Sequence, residues 1–226
     1  MRLSDVAYHG LRSAIIRAEL LPGSPIDEKD CMELLGVGRT PLREALQRLA
    51  QEDLLLAVPQ RGYFVSSTSA TDFFHLQEFR LQAEVWAARL AATRISDSQL
   101  NRMAALIEEA RAGVEAGRME IDWHLGTDEE MHRIIAEASG NGYLAQALTR
   151  LYALSVRSLY VSRLPVALLF EDLDDMVLIH AALASRDPDQ AEAAIRAHLS
   201  VSATNIIRAV EMPSRQGRTP RTEAGQ

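Results

Sequence analysis

The sequence predicts a mainly α protein in two parts, in which three helices closed by a β-hairpin precede an all-α antiparallel bundle. Three observations predict it. Two short β-prone runs flank the turn Pro59-Gln60-Arg61-Gly62, and strand signals disappear beyond them. Long Ala/Leu-rich stretches with helical periodicity fill the chain from about residue 71 onward. Between the two regimes lies a small, polar stretch, Ser66-Ser67-Thr68-Ser69-Ala70.

Leu3 to Leu20 carries Val6, Leu11, Ile15 and Ile16 at helical spacing, and Leu21-Pro22-Gly23-Ser24-Pro25 stops it. Asp27 is placed to cap a second helix that runs through Leu35, and Gly36 supplies its terminating turn. Arg39 to Gln51 puts Leu42, Ala45, Leu46 and Leu49 on one face, which completes a helix, tight turn, helix pair. Leu54–Val58 and Tyr63–Ser66 then read as two strands, the wing of a winged helix-turn-helix. The second part predicts helices near 71–95, 97–116, 120–139, 142–162, 166–185 and 188–211. Ser96 with Gln99 and Asp187 with Gln190 have capping-box spacing, and Pro188 stands at a first helical position. These readings divide the chain into 1–68, 69–212 and a tail, 213–226, that lacks apolar periodicity and is expected to be disordered.

The bulk numbers exclude several classes. Apolar residues make up 47% of the 226 positions and charged ones 24%, a globular composition. No leader and no apolar run of membrane-spanning length is visible, so a cytoplasmic protein without a membrane partner is expected. The lone Cys31 cannot form an internal disulfide and lies in an apolar-periodic stretch, as a small buried thiol would. A net charge of −7 argues against coating nucleic acid through bulk positive charge, and residues 1–66 hold eight Lys/Arg against nine Asp/Glu. Any DNA reading therefore depends on where the arginines stand.

Arg39 and Arg43 are four apart and share a helix face opposite Leu42, Leu46 and Leu49. A helix entering the major groove by its N-terminus has this arrangement, because its free N–H groups favour phosphate and arginine forks read guanine edges. The segment from Ile26 to Val65 resembles the winged helix-turn-helix of the GntR family. The resemblance is carried by Leu20-Leu21-Pro22-Gly23, Leu35-Gly36-Val37, Arg39-Thr40-Pro41-Leu42-Arg43-Glu44-Ala45-Leu46 and Arg61-Gly62-Tyr63-Phe64-Val65. The helical remainder, with Arg80-Leu81-Gln82-Ala83-Glu84 in its first helix, is similar to the FadR-type ligand domain of that family. The resemblance implies DNA contacts from Arg39, Thr40 and Arg43, with backbone or minor-groove contacts from Lys29, Arg61 and Gly62. Gly38 departs from the family's usual Ser or Thr, so a hydroxyl for a cap or phosphate is missing there.

Asp128 and His132 are four apart and project from one helix face. His180 and His198 flank Asp187 on consecutive helices, about 10 and 16 Å from the turn at 1.5 Å per residue, so comparable depth is expected. Three imidazoles and a carboxylate suit zinc, nickel, manganese or iron and leave positions for a ligand oxygen. All four residues match the metal-binding pattern that the resemblance implies, and His124 is an alternative ligand. Arg80 is similar in position to a family arginine facing the ligand cavity, where it would clamp a carboxylate beside the metal. A salt bridge to Glu84 at i+4 is its other reading, and Arg157 is a weaker pocket candidate.

These readings imply a regulator, expected to be a repressor. It would work as a homodimer on a palindromic double-stranded operator, under control of a small organic-acid or sugar-acid effector. The alternatives are a metal-dependent enzyme on a helical bundle and a regulator with a purely structural metal. No placed general base or nucleophile supports the enzyme.

Overall fold

The computed structural model describes residues 1–67, 69–118, 120–162 and 173–211. The N-terminal part runs α1 (Leu3–Ile16), α2 (Glu28–Leu35), α3 (Arg39–Gln51), β1 (Leu55–Val58) and β2 (Gly62–Val65). The helical part runs α4 (Ala70–Arg94), α5 (Asp97–Glu115), α6 (Ile121–Ala138), α7 (Gly142–Ser162), α8 (Leu173–Ala184) and α9 (Pro188–Glu211). The tail expected over 213–226, and the first turns of the helix expected over 166–185, lie outside the described residues. Among the described residues no helix is long and apolar enough to cross a membrane.

Local chemistry sets most boundaries. Asp27 caps α2 by accepting from the Lys29 and Asp30 N–H groups at 2.8 and 3.1 Å. Gly36 ends it at φ 63°, in the left-handed region where a missing Cβ removes the steric penalty. α1 ends at Ile16 rather than Leu20, because Ala18 turns left-handed and the Glu19 and Leu20 N–H groups fold back onto the Ala14 carbonyl. Leu20 still reaches the core, delivered by the turn and not by the helix. β1 and β2 pair antiparallel, with Leu55 opposite Val65 and Val58 opposite Gly62. Residues 23–26 add a partial third strand along β2, with Gly23 N–H donating to the Val65 carbonyl and Ile26 N–H to that of Tyr63. Ser69 and Asp72 form a full capping box at the start of α4, and Ser96 and Gln99 form one at α5.

Two cores result. The N-terminal core gathers Ala7, Leu11 and Ile15, Cys31, Leu42, Leu46 and Leu49, and Leu55 and Val65 of the hairpin; each large aliphatic side chain buried there is worth about 1.5–3 kcal/mol. α4 is the central helix of the second part and packs on α6, α7, α8 and α9. Its fully buried Ala87, Ala88, Ala91 and Ala92 let those neighbours approach closely. α7 joins the two parts. Leu154 packs on the N-terminal core, Ile16 packs on the cluster of Leu125, Tyr152 and Val156, and Arg17 pairs with Asp122 at 3.1 Å. Arg150 pairs with Asp53, and Tyr160 donates to Asp122.

Candidate functional site

α3 turns Leu42, Ala45, Leu46 and Leu49 into the core, which leaves Arg39, Thr40 and Arg43 on the surface. Gly38 is the N-cap and no side chain caps the helix start. A phosphate can therefore take the first-turn N–H groups. Arg43 Nε stands 3.4 Å from Glu28 Oε2 at an exposed site; such pairs are worth about 0–1 kcal/mol and give way to a stronger acceptor. Lys29 is exposed beside Glu33 at 3.9 Å, Arg61 lies 5.6 Å over the Phe64 ring, and Gly62 is exposed at the start of β2.

In the helical part, α6 and α9 bring Asp128, His132 and His198 to one point. His132 Nε2 is 3.3 Å from His198 Nε2 and 3.6 Å from Asp128 Oδ1, and His198 Nε2 is 3.5 Å from the same oxygen. Ligands held at roughly 2.1 Å in a tetrahedral array lie about 3.4 Å from one another. Asp128 Oδ1 is buried without a hydrogen bond, whereas Oδ2 accepts from the Tyr152 hydroxyl at 2.8 Å. Two imidazole nitrogens and an orphaned carboxylate oxygen at this spacing fit a divalent ion such as zinc.

A second ring of groups orients these three. Glu84 Oε2 lies 3.0 Å from His132 Nδ1, and Arg80 Nη2 lies 3.2 Å from His132 Nε2. A guanidinium only donates, so His132 Nε2 is the acceptor and its proton sits on Nδ1, toward Glu84. The lone pair that a metal needs is thereby directed into the site. Arg80 Nε also donates to Glu84 Oε1 at 3.1 Å. Burial pushes the Glu84 carboxyl up, but His132 and Arg80 outweigh it and bring it to about 2. Burial likewise opposes ionisation of Asp128, yet His132, His198 and Arg80 hold it well below the usual carboxylate range. Burial, reinforced by Asp128, keeps the Tyr152 phenol protonated as a donor. A small cleft, partly open to solvent and lined by Glu84, Glu129, His132, Arg133 and Tyr152, lies beside the group.

His180, expected among the ligands, does not join Asp128, His132 and His198. It lies on the flank of α8 that packs against α5, where its Nε2 donates to the Leu100 carbonyl at 3.2 Å. Depth below the α8–α9 turn sets height along a helix but not the side of the helix, and α8 turns Met176, Ile179 and Leu183 inward instead. Arg80 is buried and makes the Glu84 pair that was its other reading. Arg157 is buried on α7 and donates to the Ser66 carbonyl at the junction of the two parts. His124 is buried one turn before Asp128, and that burial lowers its proton affinity. Sequence reasoning missed Glu84 and Tyr152 as members of the site. The i+4 spacing to Arg80 marked Glu84 as an ion-pair partner, while nothing in the sequence marked Tyr152.

A winged helix with an exposed arginine face, joined to a helical domain with a buried polar centre, defines a DNA-binding regulator. Comparison with known proteins makes this specific. The model described as "Bacterial regulatory proteins, gntR family" matches residues 3–65, and the FCD domain matches residues 75–201. The HTH-type transcriptional repressor RspR of Escherichia coli K12 is 30% identical over 196 residues, spanning 85% of this chain and 83% of that protein. The repressor GlaR of the same organism is 31% identical over 203 residues, 85% of this chain and 90% of its own. The solved structure of E. coli McbR/YncC superposes with a TM-score of 0.82 at 20% identity, over 92% of this chain and 98% of that one, which shows the shared fold. The chain belongs to the GntR family and carries an FCD domain, and that family consists of transcriptional regulators, not enzymes.

Proposed function

We propose that this protein is a sequence-specific repressor whose operator binding is controlled by a small carboxylate effector, bound in the helical domain together with a divalent metal. The observation that carries the reading is the convergence of Asp128 Oδ1, His132 Nε2 and His198 Nε2 within 3.3–3.6 Å, beneath a buried Arg80. A metal there supplies Lewis acidity toward one oxygen of the acid. Glu84 holds His132 in the tautomer that leaves Nε2 free to coordinate, and Tyr152 fixes Asp128. Arg80 gives up its bond to His132 Nε2 and turns its guanidinium to the acid, as a bidentate clamp. Organic acids and sugar acids are the class that this pairing of cation and fork selects.

Arg39, Thr40 and Arg43 read the major groove, while Lys29, Arg61 and Gly62 hold the backbone or the minor groove. Two chains pair through their helical domains and present two recognition helices to a palindrome in the cytoplasm. Phe79 and Trp86 support that pairing, since they are seven apart on α4 and remain 60% and 53% exposed. The effector favours one arrangement of the pair over the other and so shifts its fit to the operator.

The test is a thermal-shift screen of carboxylic acids with and without zinc, followed by titration of an operator selected from a randomised pool by the protein itself. Stabilisation reports binding to the folded state. An acid that stabilises only with metal, and that changes operator affinity, supports the reading. Arg80→Ala should keep the metal and lose the acid. An acid response that persists in Asp128→Asn and Arg80→Ala alike would overturn it.

A further inference from the structure

The segment joining the hairpin to α4 is held by a guanidinium sealed from solvent. Arg157 is 1% exposed and donates from Nη2 to the Ser66 carbonyl. Its Nε and Nη1 are buried without hydrogen-bond partners. Among the described residues no carboxylate pairs with it. The contrast with Arg80 is direct: that guanidinium, also buried, is matched by Glu84. Burial lowers the proton affinity of Arg157 with no acidic neighbour opposing it. A buried cation without a counter-charge is strongly disfavoured, so the site is completed by an acceptor that brings one negative charge.

The surroundings narrow what that acceptor is. Leu154 and Val156 are apolar and engaged in the packing between the two parts, and the neutral Ser155 hydroxyl accepts from Gln77 Nε2 at 3.2 Å. Arg157 is therefore the cationic donor of the place, with its remaining N–H groups in one plane. A planar monoanion matches a single guanidinium in charge and geometry, and carboxylate does so better than a phosphate dianion. We propose that Arg157 is a small-carboxylate subsite at the junction of the two domains, separate from the Asp128, His132 and His198 group. It needs no metal and does not rest on the effector reading above. An anion there shares the guanidinium with the Ser66 carbonyl, so its binding is felt by the segment that carries the DNA-reading domain.

Sodium acetate is the probe, titrated at constant ionic strength into the full-length protein in EDTA, with 15N-labelled arginine. The Nε–H resonance absent from Arg157→Lys should move saturably, and the melting temperature should rise by roughly 3–5 °C at ten times the Kd. Arg157→Met should gain nothing from acetate. Asp128→Asn, which replaces the metal-facing carboxylate by a neutral amide, should keep the full response, so failure here is distinct from failure of the metal reading. An unmoved Arg157 resonance in folded wild-type protein would overturn the proposal and identify Arg157 as a clamp on Ser66 alone. Retention of the acetate gain in Arg157→Met, or its loss in Asp128→Asn, would place the anion elsewhere and overturn it equally. The wild-type resonance decides the matter even if Arg157→Met does not fold.

Discussion

His132 Nδ1 stands 3.0 Å from Glu84 Oε2, and both side chains are shut away from solvent. The contact fixes the imidazole tautomer at the centre of the helical domain and makes the fold acid-sensitive. Glu84 is drawn from 4.5 to about 2. A carboxyl depressed by folding stabilises the native state above its unfolded pKa, and that contribution is lost as pH falls toward the folded value. The contribution is on the order of 3 kcal/mol. It should be intact at neutral pH and lost between about pH 4.5 and 2. Urea titrations of metal-free wild type and Glu84→Gln at several pH values should show a flatter acid limb for the variant. An unchanged limb would assign the acid sensitivity to another carboxylate.

The metal centre makes a prediction that separates the histidines. His132→Ala and His198→Ala should each lose zinc binding by well over 10–100-fold, a loss already seen when only an outer partner of a ligand is removed. His180→Ala should keep the affinity, because its Nε2 bonds the Leu100 carbonyl, and His124→Ala should keep most of it. Calorimetric titration of the four variants with zinc measures this. Full zinc affinity in His198→Ala would dissolve the three-residue centre.

On the DNA side, Arg43→Ala should weaken binding to the selected operator by roughly 1–3 kcal/mol and relax the base preference at one position. Lys29→Ala should weaken all sequences alike and flatten the salt dependence. Anisotropy titrations on operator and scrambled duplexes at two salt concentrations distinguish the two behaviours. Glu28→Ala, which frees Arg43 from its exposed partner, should change affinity little or raise it.

Gly113 on α5 lies against α6, and a Cβ there would come within 2.3 Å of the Trp123 ring. Gly113→Ala must displace an indole packed between the helices, and overpacking of this kind costs about 1–3 kcal/mol. Thermal denaturation should show the loss. A melting temperature equal to wild type would mean that the ring moves aside freely.

The sequence by itself determined what local interactions decide. The Asp27 cap and the left-handed Gly36 bound α2, and the face of Leu42, Ala45, Leu46 and Leu49 sends Arg39 and Arg43 outward. The i, i+4 spacing puts Asp128 and His132 on one side of α6. Each of these depends on groups within a turn or two of one another, and helical geometry alone relates them. Even so, α1 ended early, because the left-handed turn at Ala18 has no glycine to announce it.

Only the tertiary structure decided which distant groups meet. His180 and His198 have similar depth below one turn, yet the rotation of each helix about its own axis sends the first to the Leu100 carbonyl and the second to Asp128. That rotation is set by the packing of α4 against α8 and α9, not by spacing along the chain. Tyr152 reaches Asp128 from α7, and Glu84 reaches His132 from α4. Arg157, a weaker pocket candidate from the sequence, lies under Ser66 at the junction of the two parts, because Leu154 and its neighbours on α7 dock the DNA-reading domain. Contacts separated by tens of residues exist only once the cores have closed, and the partners those contacts supply, His132 and Arg80 for Glu84 and the two histidines with Arg80 for Asp128, keep both carboxylates ionised against the opposing effect of burial.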